Sequence, residues 1–444
     1  MAVSLSRLLD KAVAGLLRRG LMRPFGIRRG ASTAAAASVC ISPSPHCLFD
    51  APVRVKVSGL APLQEVTLRA SLTDETGNLF QSSAQYRAES SGELDLSRSP
   101  ALAGSYSGVE PMGWLWSLAP TQPFKRLVKR DVLTPFRVDL EVLEGHGAPD
   151  RLLAKATNER SFLREGTRRI PVREGRIRAT LFLPPGADPF PGIIDISGTG
   201  GGLPEYRASL LANHGFAMLA LAYYGYDDLT KEMKEFHLEY FEEAVNYMLQ
   251  HPQVKGPGIG LLGHSKGGDL VLSMAAFLKG ITASVTINGS IANVAAFLHY
   301  KDVTLPPLGF ESKRAKINKS GIVDIVDVLN NPLEGPNRKS LIPVGKAEGQ
   351  FLFIVGEDDR NWKSEFFART ASDLLLEHGK VKPEIICYPG AGHYIEPPFF
   401  PLCSASIHFL VGLPTLWGGE PKAHSLAQDN SWQKIQDFFR KHLM

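Results

Sequence analysis

The chain has 444 residues, 44% hydrophobic and 21% charged, with a formal net charge of +4. That is ordinary globular composition: it gives no general electrostatic case for a nucleic-acid partner, and no uninterrupted apolar run reaches the length of a membrane span. The length predicts two domains, each able to bury its own core. Cys40, Cys47, Cys387 and Cys403 show no metal-ligand spacing and are too few for a disulfide scaffold of this size, so a reducing compartment is expected, with no metal and no bound cofactor.

Residues 1–40 read as a targeting segment. Arg7, Lys11, Arg18, Arg19, Arg23, Arg28 and Arg29 face a single acid, Asp10, and Leu5, Leu9, Ala12 and Leu16 fall on the opposite side of a helical wheel. An amphipathic, arginine-rich, acid-poor N-terminus is the signature of a mitochondrial transit peptide; the alternative is a basic tail or surface helix. The expected mature start lies between Ser32 and Cys47, and the matrix is the expected location, ahead of cytosol or peroxisome. The terminal Lys441-His442-Leu443-Met444 is not a Ser-Lys-Leu type address.

Residues 41–165 are expected to form a β-sandwich domain of immunoglobulin-like type. Residues 53–57 and 66–72 alternate apolar with polar side chains, as half-buried strands do. Further short strands are predicted at 80–87, 92–96, 126–129 and 136–143, with turn residues between them. The aromatic stretch 112–118 reads as a core strand; the other reading is a lining for an acyl-binding groove at the domain junction.

Residues 166–444 alternate strand and helix, which predicts a parallel sheet with helices on both faces. Strands are expected at 176–183, 192–196, 216–223, 283–287, 351–355 and 384–388, with helices at 206–213, 238–249 and 363–378. After the strand at 192–196 comes Ser197-Gly198-Thr199-Gly200-Gly201-Gly202. A glycine-rich loop at this place supplies half of the oxyanion hole in α/β-hydrolases; it lacks the pattern of a P-loop or a dinucleotide fingerprint. Gly263-His264-Ser265-Lys266-Gly267 follows an apolar strand and precedes a helix expected over 269–279 with Gly280 as its cap. That is the context of a nucleophile elbow, in which small flanking residues permit a tight turn. The stretch 288–350 is long and irregular and is expected to form part of a cap above the strand ends. Its basic run 313–319 reads as a solvated face, to which a phosphate-bearing substrate would give a second use.

The remaining parts fall at strand ends. Asp358 and Asp359 follow the strand at 351–355, and the Gly-x-x-Asp spacing from Gly356 favours Asp359. His393 follows the last strand, flanked by Gly392. The chain order Ser, Asp, His is that of the α/β-hydrolases. A serine hydroxyl needs a base within hydrogen-bond reach, and that base needs an orienting carboxylate. Ser265 is thus the expected nucleophile, His393 the base and Asp359 the acid, with the backbone N–H groups of Lys266 and Gly200 holding the oxyanion. The residues alone give a serine acyl hydrolase and no substrate.

A resemblance supplies one. From about Ser42 onward the sequence resembles the type I acyl-CoA thioesterases, the family shared with bile acid-CoA:amino acid N-acyltransferase. It does so in Glu110-Pro111-Met112-Gly113, Leu238-Glu239-Tyr240-Phe241-Glu242-Glu243-Ala244, Ser265-Lys266-Gly267-Gly268, Asn361-Trp362-Lys363-Ser364-Glu365 and, most specifically, Gly392-His393-Tyr394-Ile395-Glu396-Pro397-Pro398. The resemblance implies hydrolysis of fatty acyl-CoA to free acid and CoA, in fatty-acid metabolism; medium- to long-chain substrates, a monomer and no stable membrane insertion are the accompanying expectations. The acyltransferase branch uses a cysteine nucleophile, so Ser265 argues for hydrolysis. His264 stands where the thioesterases usually carry a smaller or aliphatic residue. The alternatives are an acyltransferase to glycine or taurine, another serine esterase or peptidase, and a non-catalytic binding protein.

Overall fold

In the computed structural model of the protein, residues 36–147 and 151–444 are described; the basic segment read as a transit peptide lies outside them up to residue 35. The centre of the molecule is an eight-stranded sheet. Its strands, in chain order, are Arg168–Val172, Ala179–Leu183, Phe190–Ile196, Ala217–Leu221, Val254–His264, Ile281–Ile287, Gln350–Gly356 and Glu384–Tyr388. They lie side by side in the order 1-2-4-3-5-6-7-8, and only the second runs opposite to the other seven. This is the α/β-hydrolase sheet. Central strands such as Ala217–Leu221 and Phe190–Ile196 are buried on both faces, which is why they read as nearly continuous apolar runs.

The helix Leu238–Gln250 buries Leu238, Phe241, Ala244, Val245 and Met248, the spacing of one helical face. A 23-residue helix, Pro421–Leu443, covers the other side of the sheet through Trp432, Ile435, Phe438 and Phe439; the sequence reading did not isolate it.

Two β layers precede this sheet. One pairs Ser38–Ser42, Arg54–Ser58 and Leu94–Asp95; the other is a seven-stranded, mainly antiparallel sheet built around Phe136–Glu144, Glu65–Thr73 and Leu79–Arg87. Along Glu65–Thr73 the buried residues are Val66, Leu68, Ala70 and Leu72, the alternation expected of a strand with one face in the core. Phe49 joins these layers to the hydrolase part, with ring centroids 5.2 Å from Phe162 and 4.4 Å from Phe400. Asp50 adds polar ties, accepting from Trp432 Nε1 at 2.9 Å and contacting His214 Nε2 at 2.6 Å.

Four expectations are corrected. Residues 126–129 form no strand: Leu127 and Lys129 are buried in alternation, but the segment is held by side-chain ion pairs, Arg126 to Glu396 and Lys129 to Glu75, and its backbone joins no sheet. The stretch 112–118 contains one helical turn, Gly113–Trp116. It buries Trp114, Leu115 and Trp116 consecutively, which an alternating strand could not do, and it lines no groove at the site described below. The helix after Ser265 begins at Lys266 and ends at Phe277, capped by the extended Leu278; Gly280, with φ 80°, instead turns the chain into the strand Ile281–Ile287. The insertion after that strand folds into short bridges and turns, among them Phe297–Tyr300 paired with Val303–Leu305, and lines no part of the cavity in front of Ser265.

Candidate active site

Ser265 sits at the sharp turn between the strand Val254–His264 and the helix Lys266–Phe277, with φ 55° and ψ −123°. This conformation is costly for a residue with a side chain and persists only where neighbours hold it. The glycines around it are sterically required. A Cβ on Gly267 would lie 2.3 Å from the Ile196 carbonyl oxygen, and one on Gly263 would lie 2.2 Å from the Gly267 carbonyl oxygen. The turn therefore closes only because these side chains are missing, and closure presents the Ser265 hydroxyl at the strand ends.

The three predicted side chains meet there. His393 Nε2 is 2.9 Å from Ser265 Oγ, and His393 Nδ1 is 2.8 Å from Asp359 Oδ2. All three are buried. Of the two adjacent acids it is Asp359 that reaches the imidazole; Asp358 turns outward to Arg360 and accepts from Gly419 N–H. The Asp359 carboxylate is held by its own chain: Oδ1 accepts from the N–H groups of Asn361 and Trp362, and Oδ2 accepts from Ser364 Oγ at 2.6 Å. These bonds leave it one role, to accept from His393 Nδ1–H and fix Nε2 as the nitrogen facing the serine. Asn361 Nδ2 lies 3.2 Å from the same Nε2.

The backbone on both sides of His393 is clamped. Asn288 Nδ2 donates to the carbonyls of Gly392 and His393, His264 Nε2 donates to the His393 carbonyl at 2.9 Å, and His393 N–H donates to the Trp417 carbonyl. His424, from the C-terminal helix, accepts from Gly392 N–H at Nδ1 and donates from Nε2 to the Tyr394 carbonyl. Burial, with the nearby His393, Arg207 and Arg126, holds the His264 imidazole well below the usual histidine range. It is thus a neutral donor to the backbone. The Trp417 indole stacks on His393, centroids 5.6 Å apart at 22°.

A cavity of about 330 Å³ opens in front of Ser265. Its walls carry Arg126, Asp195, Arg207 and Glu396, together with the glycine loop 198–202. Asp195 and Arg207 are a buried ion pair; burial raises the Asp195 carboxyl above its usual range despite the guanidinium beside it. Arg126 bonds Glu396 at 2.7 Å and covers the Tyr394 ring at 4.2 Å, and Tyr206 donates to the other oxygen of Glu396. Lys266 is the first residue of its helix, so its N–H has no intrahelical acceptor. Its side chain points away, buried against Asp269 and Asn293. In the glycine loop it is Gly198 that abuts Ser265: a Cβ there would be 3.1 Å from the Ser265 Cβ, whereas one on Gly200 would meet nothing within 4 Å. Gly200 lines the open cavity.

Residues 50–174 match the family model described as the acyl-CoA thioester hydrolase/BAAT N-terminal region, and residues 236–444 match BAAT/acyl-CoA thioester hydrolase C terminal. Over 409 residues the chain is 64% identical to acyl-coenzyme A thioesterase 2, mitochondrial, of Homo sapiens, covering 92% of this chain and 85% of that one. The chain belongs to the acyl-CoA thioester hydrolase/BAAT family. It is also 64% identical over 409 residues to acyl-coenzyme A thioesterase 1 of Homo sapiens, covering 92% and 97% of the two chains. Acyl-coenzyme A thioesterase 3 of Mus musculus is 62% identical over 410 residues, 92% and 95% of the two chains. In this family member the basic run 313–319 is answered by local acids, Lys313 by Glu311 and Lys316 by Asp327, and lies off the cavity. Arg126, Asn288, Trp417 and His424 escaped the sequence reading, because each reaches the site from a distant part of the chain.

Proposed function

We propose that this protein hydrolyses fatty acyl-CoA to free fatty acid and CoA, with Ser265 as nucleophile, His393 as base and Asp359 as the acid that orients it. The observation that carries the reading is the relay from Ser265 Oγ to His393 Nε2 at 2.9 Å and from His393 Nδ1 to Asp359 at 2.8 Å. Ser265 Oγ attacks the thioester carbonyl carbon as its proton passes to His393 Nε2. The oxyanion is received by the N–H of Lys266 and an N–H of the glycine loop, Gly200 in our assignment; one such donor contributes about 3 kcal/mol to lowering the barrier. Collapse breaks the C–S bond, and the imidazolium returns its proton to the departing sulfur. Water, deprotonated by the same imidazole, then attacks the acyl-serine ester and releases the acid. The ionic cavity walls suit the polar part of the substrate.

The test is thiol release from a series of acyl-CoAs by the wild type and Ser265→Ala. The variant is expected to lose at least about a thousandfold in turnover. Conjugate in place of free acid, on adding glycine or taurine, would replace hydrolysis by acyl transfer.

We further infer a monomeric enzyme of the mitochondrial matrix acting on medium- to long-chain substrates. The basic N-terminal segment and the likeness to a mitochondrial relative support this location. The strand Ser38–Ser42 is paired with Arg54–Ser58, so cleavage is assigned ahead of Ser38. Import into isolated mitochondria followed by N-terminal sequencing checks it; a full-length protein left outside would refute it.

A further inference from the structure

Beside the cavity stands a hairpin whose strands are Ala405–Ile407 and Pro414–Leu416. Its turn exposes Ile407, Phe409, Leu410, Val411 and Leu413, with Phe409 at 58% and Leu413 at 49% of full exposure. Five apolar side chains left in water within seven residues form a patch that calls for a ligand or partner. The turn is also built to keep them there. His408 is buried beneath it, and its Nδ1 accepts from the N–H groups of Leu410 at 3.0 Å and Val411 at 3.2 Å. Gly412, at φ 72°, donates to the His408 carbonyl, and His408 N–H donates to Leu413.

This turn is coupled to the nucleophile's base. The His408 ring stacks on Trp417 at 5.1 Å and 17°, and Trp417 stacks in turn on His393, so imidazole, indole and imidazole form one column. Trp417 Nε1–H donates to Ser406 Oγ, fixing the indole to the hairpin's first strand. On the other side Phe409 meets the Tyr224 ring at 6.1 Å, and Tyr224 donates to the Thr199 carbonyl in the glycine loop. The turn is therefore tied to the cavity wall by two ring contacts, the buried His408 with Trp417 and Phe409 with Tyr224.

We propose that the turn 407–413 is the platform on which the fatty acyl chain of the substrate lies, and that Phe409 and Leu410 set the preference for long chains. This rests on the acyl-CoA reading of the site. The charged part of the cavity wall, Arg126, Asp195, Arg207 and Glu396, suits the polar end of the thioester, while Val128, Leu203 and Pro204 give it an apolar part. A long hydrocarbon needs apolar surface beyond these walls, and the turn 407–413 presents one, tied to the cavity wall through His408 and Trp417. The aromatic stretch 112–118, the other candidate from the sequence, is buried and offers none.

The experiment compares wild type with Phe409→Ser/Leu410→Ser. It measures kcat and KM on butyryl-, octanoyl- and palmitoyl-CoA, and palmitate binding by calorimetry. Both residues are exposed, so the variant is expected to fold; Phe409→Leu serves as the conservative control. The expected result is a 10- to 100-fold loss of kcat/KM on palmitoyl-CoA, carried by KM, with butyryl-CoA within about twofold, palmitate binding weakened at least tenfold, and Phe409→Leu near wild type. Equal losses on short and long chains, or unchanged palmitate binding, would overturn the proposal. So would an unchanged chain-length profile in a variant that no longer sediments with phosphatidylcholine vesicles or no longer self-associates, since the patch would then be a membrane or dimer surface. Failure of the acyl-CoA reading looks different: the wild type would turn over none of the three thioesters, while palmitate binding would still report on the platform.

Discussion

Two sets of loops leave the same end of the eight-stranded sheet, and they are held in opposite ways. The loop carrying His393 is fixed by buried bonds from Asn288, His264 and His424 to its backbone, and by Trp417 at its face. The insertion, over residues 311–327, is pinned mostly by partly exposed ion pairs: Glu311 with Lys313 and Arg314, and Asp327 with Lys316 and Lys363. Buried bonds to uncharged backbone lose little to water or salt, and they hold an imidazole within a few tenths of an ångström, as proton transfer requires. Exposed pairs contribute about 0–1 kcal/mol each and are screened. Rigidity is thus concentrated where the chemistry is proposed to occur.

The largest effect expected from breaking that rigid side comes from Asp359→Asn. The substitution keeps the shape but removes the charge and offers His393 Nδ1 a partner that no longer selects its tautomer. Turnover of acyl-CoA is expected to fall about 10⁴-fold, with circular dichroism unchanged. A loss below tenfold would mean that the network holds His393 without serving the reaction.

Next comes His424, which joins the C-terminal helix to both neighbours of His393. Burial pushes its imidazole down to about 4, and that of His408 likewise to about 4. Between pH 4 and 6.5 the unfolded chain takes up protons that the folded chain refuses, so the folded state is penalised as pH falls through that window. Fully developed, the penalty is about 3 kcal/mol for each histidine. Protonated Nδ1 would face Gly392 N–H donor to donor, so the clamp opens as the charge arrives. His424→Gln should lower stability at pH 7.5 through lost hydrogen bonds, yet show a shallower decline from pH 6.5 to 5 than wild type in urea titrations. Parallel declines would remove His424 from the acid sensitivity.

What the sequence made legible follows the same division. Ser265, Asp359 and His393 stand at strand ends, and strand ends are set by local pattern: an apolar run, a glycine, then the chemical group. Even the hold on Asp359 has a local signature, since an Asp whose carboxylate accepts the N–H groups two and three residues on is an Asx-type turn. Asn288 also stands at a strand end, directly after Ile281–Ile287, but nothing local says that its amide turns to the His393 loop; Trp417 has no such place, and its neighbours in sequence say nothing of the imidazole it stacks on. His424 lay within reach, because Trp432, Ile435, Phe438 and Phe439 mark the apolar face of a helix that then carries His424 inward. Residues 126–129 misled as a strand because alternating burial, here of Leu127 and Lys129, also arises in a segment held by side-chain ion pairs and not by backbone pairing. The insertion misled as a cap because a long irregular stretch at the correct end of a sheet need not turn over the cavity.

The smallest expected effect is on the other side of the comparison. Asp327 binds Lys316 at 2.7 Å and Lys363 at 2.9 Å, and these lysines hold its carboxyl down to about 2. Its contribution is present above the ordinary carboxylate range and is lost as pH falls toward 2. Water reaches about a third of the side chain, so Asp327→Asn should cost no more than about 1 kcal/mol at low salt and less at high salt. KM and kcat for acyl-CoA should stay within twofold, because the segment lines no part of the cavity. A tenfold fall in KM, as Lys316 and Lys363 lose their acid, would show that the substrate's phosphates sense this basic run. The insertion would then be a binding element, and the division between a rigid site and a loosely pinned insertion would have to be redrawn.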